Sequence, residues 1–456
     1  MISPTSFGGA GGGGVDTDEK SKVSSNDTTA GYLNGKLVAG TNVTFTENND
    51  GGNETLTIAA AGGVTGFTGS QNTASPNNTV NASRLLVDAA STDADFVIEP
   101  KGAGAILAEL PDGAAPAGNK RGLVAVDFQR QRDTAVQVAS GIRSFIGNGY
   151  GNRASGLEST VVNGSSNIAS GSNSTICGGS TNTADNSGAA VVAGSNNTAS
   201  GIYSIVGAGG SNNINSSRNY TVIGGGQSNT ISTAGTHQVI GGGQSNSADA
   251  THASVVGGNA NFASGNYSSV IGGQSNTANG SHSTVAGGTN NTASGLYSIA
   301  SGSRALANIE GMRSHASGRF AANGDAQVQE MVVRVQTTSA AQGELTADGA
   351  AWTTTNTMQV PTDGALAFDI LMVARRTDAN NECAAWTIRG CIDNNAGTVA
   401  FVGTPTTTSL GDDSAGAWSV AADTEAGSVR LRVLALGQAS KTINWVAHIR
   451  ATRVVG

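Results

Sequence analysis

From Ala139 to Ala307 the chain has no Pro and no Lys, and its only acids are Glu158, Asp185 and Asp249. These three do not line up as a neighbouring acid and base, the arrangement that glycan cleavage by paired carboxylates requires. Charged residues are 12% of the 456 and aromatic residues 4%, each about half the share of a globular enzyme. A formal net charge of −8 without clustered Lys and Arg argues against a nucleic-acid partner, which needs cations to displace counterions from phosphates. The start, MISPTSFGGAGGGG, lacks the basic and apolar regions of a secretory signal, and no apolar run reaches the length of a membrane span. Three cysteines, Cys177, Cys383 and Cys391, are too few for a disulfide scaffold. Cys383 and Cys391 fall on one predicted strand, about 26 Å apart at strand rise, so they do not pair. All three are expected as free, largely buried thiols, in keeping with assembly in a reducing cytoplasm.

What is abundant is glycine, 66 residues, about twice the average share. Disorder normally joins such a composition to high net charge and low apolar content, and neither holds here. The glycine is periodic instead. Apolar anchors recur from Ala139 to Ala307 in steps of fifteen residues, with two steps of seventeen after Ile214 and Ile231 and a last step of fourteen. Eight residues before each anchor from Ala154 onward stands Val or Ile, among them Val255, Val270 and Val285. Five before it stands Gly in every coil, as at Gly258, Gly273 and Gly288. Two before it stands Asn, as at Asn261, Asn276 and Asn291, failing only at Ala305.

A helix in this register would carry Gly through its middle at about 1 kcal/mol each relative to Ala, which excludes a helical solenoid. Short strands joined by Gly turns remain: the β-branched residue suits a half-buried pleat and the Gly a turn with positive φ. Stacked coils then superpose equivalent side chains, so Asn ladders through its amide and Val and Ala form an inner seam. Eleven coils at about 4.8 Å make a shaft near 50 Å. One β-branched side chain and one Ala per coil, at roughly 25 cal/mol per Å² buried, do not offset the entropy of ordering fifteen residues. Several chains are therefore expected to share the core, and sedimentation of a stable folded monomer would contradict that.

The units ASGIYSIVGAGGSNN, ASGNYSSVIGGQSNT and ASGLYSIASGSRAL resemble the head repeats of trimeric adhesins, which also occur in bacteriophage tail fibres and tailspikes. The resemblance implies an all-β homotrimeric fibre with a left-handed parallel β-roll or solenoid shaft of 15-residue coils. Before the repeats, Lys22 to Ile58 alternates β-formers with Asn-Asp-Gly turns, which reads as hairpins and looks like the proximal segment of a phage fibre. After them come all four tryptophans, Trp352, Trp386, Trp418 and Trp445, and strand-length apolar segments such as GALAFDILMVARR and INWVAHIRATRVV. These read as a β-sandwich, jelly-roll-like, resembling distal receptor-binding domains of phage fibres. A bacterial adhesin would need a secretion signal and a C-terminal membrane barrel, whose lipid-facing strands and aromatic girdles residues 327–456 lack.

The expected organisation is a flexible Gly-rich leader (1–14), an N-terminal virion-attachment β region (15–138), a β-roll shaft (139–320) and a receptor-binding β-sandwich (321–456). The resemblance implies a virion protein with three kinds of partner: two further copies of itself, a tail adaptor or hub at its N-terminus, and a host surface glycan or protein. Neither nucleic acid, membrane insertion, catalytic residue, metal nor cofactor is expected. Two alternatives are a glycan-degrading tailspike and a structural spacer of the virion. For receptor contact, Arg375, Arg376 and Asp378 form a candidate polar loop or an ion pair between subunits. Tyr267, His282 and Tyr297 share one position on successive coils, the fourth after the anchor, where other coils carry Arg143, Glu158, Asn173, Tyr203 and His252. A position accepting such different side chains is an exposed rung, open to sugars. The acids Asp412 and Asp413, Asp378 and Glu382, and Asp423 and Glu425 are read as solvated turn residues.

Overall fold

The computed structural model describes residue 98 and residues 100–114, 117–233, 235–379, 382–413, 417–425 and 427–456, with four strands nearer the N-terminus. Among them are strands and no α-helix. The chain divides into two compact units, Met1–Glu99 and Pro100–Gly456. In the first, Val43–Asn48 pairs antiparallel with Thr55–Ala60, and Phe67–Gln71 with Ser83–Val87. The leader 1–14 and the turns expected at 49–54 lie outside the described residues.

The second unit opens with a parallel β-solenoid of about thirteen turns. Each coil adds one rung to three parallel rows, for example Ser269–Val270, a bridge at Gln274 and Thr277–Ala278. The strands are two residues long because a Gly turn follows at once: Gly273 has φ +88°. Val270 and Ala278 point inward and are wholly buried, while Ser269 and Thr277 are half-buried outside. The ladder reaches back to Ile106–Leu107, paired with Val126–Asp127, so the first coils lie within the segment 15–138 assigned from sequence to attachment.

Four side chains fill each coil, rather than the two expected. Besides the β-branched residue and the Ala, the Asn and the residue two before the β-branched one are buried, as Asn276 and Ser283 show; the latter is Ser in most coils but Ala189, Thr221, Gln238 and Ala253 in four. The Asn ladder is present, and its chemistry explains why Asn recurs. Asn276 donates its amide to the carbonyls of Gly272 (2.8 Å) and Gly288 (2.9 Å), and its Oδ1 accepts from the Asn291 N–H (3.0 Å). One side chain thus pairs the Gly272 carbonyl and the buried Asn291 N–H and adds a second donor to the Gly288 carbonyl, which also accepts the Gln274 N–H. At the end of the shaft Ala305 takes only the last of these bonds, its N–H donating to Asn291.

Polar side chains stand near both ends of the coil stack. One rung in from Leu107, Asp127 occupies the inward position that Ile146 fills in the next coil, and its buried carboxylate pairs with Arg121 at 2.8 Å. At the other end Gln327 bonds both the N–H and the carbonyl of Leu306. Strand Arg313–Ser317 then pairs antiparallel with Ala326–Thr337, so the solenoid sheet continues into a five-stranded antiparallel sheet. Its order is 326–337, 443–455, 364–376, 383–395 and 406–412, and the short strand 398–401 pairs with 383–395 on the same edge as 406–412. A three-stranded sheet of 342–344, 432–436 and 419–423 lies over it. Between the two, the Trp445 ring stands 5.8 Å from Trp386 and from Trp418, its indole N–H donating to Thr337.

The cysteines correct one expectation. Cys177 and Cys383 are exposed and Cys391 half-buried. Parity explains it: Cys177 follows the inward Ile176, and along 383–395 the even-numbered Trp386, Ile388 and Ile392 point inward, which turns both cysteines out.

In the turn before Ala326, the Asp325 carboxylate accepts from the N–H groups of Phe320 (3.0 Å), Ala321 (2.6 Å) and Ala322 (2.7 Å). Desolvation works to raise its pKa, but these bonds outweigh it and hold the group below the usual carboxylate value. A depressed carboxyl stabilises the fold above its unfolded pKa and loses that contribution as pH falls through the folded one. Asp325→Asn is therefore expected to lower the thermal midpoint at neutral pH, and to flatten its decline below about pH 4. Parallel acid limbs for wild type and variant would contradict this.

Candidate functional site

The corner between the anchor row and the β-branched row carries one residue per coil in the left-handed region. Its N–H bonds the preceding coil, as Tyr267 does Thr251 and His282 does Asn266. Along this rung run Arg143, Glu158, Asn173, Gly188, Tyr203, Tyr220, His237, His252, Tyr267, His282, Tyr297 and Gly311, all with φ between 53° and 65°. Near its start the rung is charged: Glu158 accepts from Arg143 (2.7 Å) and Asn173 (2.8 Å), which hold its carboxyl below the usual range.

From Tyr203 to Tyr297 seven rings stack without interruption. Centroid separations run from 5.7 Å at Tyr203–Tyr220 to 4.7 Å at His252–Tyr267, and His237 and His252 are within 3° of parallel. Only the last pair, His282–Tyr297, is tilted, by 35°. The rings are exposed, Tyr203 at 57% and Tyr267 at 53%. Since neighbours cover their faces, they present their edges to solvent, so face-on stacking of a sugar is closed along the ladder's length.

The structure brings Tyr267, His282 and Tyr297 together as expected and adds Tyr220 and His237. Those two escaped the count because the seventeen-residue coils insert two residues between anchor and ring. A count from the inward residue finds them: Tyr220 stands three before Ile223 and His237 three before Ile240, as Tyr267 stands three before Val270. The insertions build out a polar shelf beside the rings, where Arg218 donates to the Ser232 carbonyl (3.0 Å) and Asp249 accepts from the Ser232 hydroxyl (3.1 Å).

The candidate loop of the distal sheets is differently arranged. Arg376 binds Asp378 at 2.5 Å and Glu382 at 3.3 Å, and Lys441 binds Glu382 at 2.6 Å, all within one chain. The hydrogen bond from Arg376 holds the Asp378 carboxyl below its usual value. Arg375 faces away, exposed, on the register row of Cys383 and Asn444. Nor are Asp423 and Glu425 free turn residues: Arg432 binds Asp423 at 2.9 Å, and the buried Arg430 binds Glu425 at 2.7 Å and Glu344 at 3.0 Å. Arg430 also lies 3.6 Å over the Trp352 ring, a cation–π contact. Asp413 accepts from the Cys383 N–H.

One carboxyl pair was not picked out from sequence. Burial, and then the charge of Asp348, push Glu310 above the usual range. Desolvation also works to raise Asp348, but bonds from the Ala350 N–H, Asn356 and Thr346 hold it down. The two lie far apart in sequence, which left no spacing to recognise. Among the described residues no three His, Cys, Asp or Glu side chains gather as metal donors.

No family model matches the chain, and no curated protein matches it. Among solved structures the chain is similar to a tailspike protein of an Acinetobacter baumannii bacteriophage, a capsular polysaccharide depolymerase. The likeness has 8% identity and a TM-score of 0.19, covering 72% of this chain and 69% of that one. At that TM-score it carries no argument about this chain's fold or activity.

Proposed function

We propose that the chain is a phage tail-fibre or tailspike protein. In this reading it attaches to the virion through its N-terminal part and adsorbs to the host cell surface, as a homotrimer and without catalysis. The observation that carries the reading is the unbroken sheet of the second unit. Parallel rungs from Ile106 to Ser317 pass by continuous pairing into the antiparallel strands beyond Ala326. About thirteen turns at about 4.8 Å make a stiff shaft near 60 Å long that holds the distal sheets at one end. Outward side chains on the two rows flanking the inward one, Val162, Val192, Val256 and Ile271 after it and Ile205 and Val239 before it, are exposed and give further copies apolar surface to bury. Weak contacts repeated on three chains and several fibres raise avidity by about 10² to 10⁴.

Glycan cleavage is the second reading, for which Glu310 and Asp348 are the carboxyl pair to test, since the charge of Asp348 reaches Glu310. Purified chain is expected to compete with its phage for adsorption, to lose that competition when residues 327–456 are deleted, and to leave surface-polymer viscosity unchanged. Falling viscosity would favour cleavage instead. Failure of the full chain to compete at all would point to a spacer, and competition that survives the deletion would place binding on the shaft.

A further inference from the structure

We infer that the ring ladder from Tyr203 to Tyr297 is a binding strip for a linear, hydroxyl-rich polysaccharide lying along the shaft. The inference rests on the adsorption reading for the source of the polymer, but its geometry stands on the ladder alone. Residue choice is the first ground. Four of the chain's six tyrosines and three of its five histidines stand on this rung, and none of its ten phenylalanines does. Stacking by itself would be served as well by Phe. What Tyr and His add is a hydroxyl or a ring nitrogen at the edge, and the edge is what the stack leaves exposed.

Backbone conformation is the second ground. A bulky residue at positive φ is an outlier that costs about 1–2 kcal/mol. The same rung takes Gly at Gly188 and Gly311, where that cost vanishes, yet seven consecutive coils hold rings. Register is the third. The inserted residues of the two longer coils fall between anchor and ring, so Tyr220 and His237 remain in line at 5.2 Å.

The result is a row of edge hydroxyls and imidazole nitrogens repeating at one coil, about 30 Å long at the strand spacing. One coil is about the length of a pyranose unit in an extended chain, so successive sugars meet successive rungs. Each tyrosine hydroxyl can both donate and accept, as a sugar hydroxyl requires, while His237 and His282 engage Nδ1 with Thr236 and Ser281 and offer Nε2. Single contacts of this kind are weak and exposed, so affinity grows with the number of rungs engaged.

The test uses the full chain on an array of linear bacterial capsular and O-polysaccharides. Long polymers are expected to bind, and their disaccharide units to bind far more weakly. The double variant Tyr220→Phe with Tyr267→Phe keeps the stack and removes two hydroxyls. It is expected to lower polymer affinity about tenfold with an unchanged thermal midpoint. No retained polymer, equal affinity for disaccharide and polymer, or unaltered binding by the Phe variant would each overturn the inference. If the Phe variant keeps polymer affinity while competition for adsorption persists, the strip fails and the adsorption reading stands.

Discussion

Gly273→Ala is expected to disrupt the shaft, while Gly272→Ala, one residue away, leaves it intact. Gly273 has φ +88°, and a Cβ there would penetrate the Gly288 carbonyl oxygen of the next coil and stand 2.8 Å from the Gly288 nitrogen. Those are backbone atoms fixed by the ladder, with no side chain free to yield. Gly272 faces open space, with nothing within 4 Å of its Cβ position. Left-handed strain and the clash together should cost about 3–5 kcal/mol at Gly273. At Gly272 the change should stay within about 0.5 kcal/mol. Denaturant midpoints of the two variants check this, and equal midpoints would show that the coils can part to admit a methyl group.

Asn276→Ala is the second large effect. It strips the partner from the Gly272 carbonyl and from the buried Asn291 N–H, and removes one of two donors to the Gly288 carbonyl, which keeps the Gln274 N–H (2.9 Å). At about 1–3 kcal/mol for each group left unpaired, with two such groups and one of them only partly buried, the loss should reach about 2–4 kcal/mol. Asn259→Ala, removing an exposed bond of 3.3 Å to Gln244, is the control and should change little. Because each coil contacts only its neighbours, faster amide exchange should concentrate in the coils flanking residue 276. Uniform exchange along the shaft, or equal stability of the two variants, would contradict the ladder's role.

The shaft was legible because its constraints repeat. Every coil must turn at the same place, bury the same seam and pair the same orphan carbonyls, so Gly273, Val270 and Asn276 recur in phase with their counterparts. Its interior was only half legible: Ser283 has nothing in its chemistry to announce burial, and the parallel stack alone encloses it. Where a coil lengthens, counting from the anchor loses the rung, as it lost Tyr220 and His237, although counting from the inward residue recovers it. The distal acids were misjudged for a related reason. Asp423 and Glu425 occupy a turn in sequence, but Arg432 lies across the strand pair from Asp423, and Arg430 is shared by Glu425 and the distant Glu344.

Residue order alone was thus sufficient for the all-β coil, its turn glycines, its Asn ladder and the shared position of Tyr267, His282 and Tyr297. These follow from local backbone preference and a fixed period. The folded chain was needed to show seven rings in one unbroken stack, edges outward, and Arg376 tied to Asp378 and Glu382. It was needed too for the start of the ladder at Ile106 and for the outward cysteines. Such features depend on which coil or strand lies against which, a distance through space that no spacing along the chain encodes.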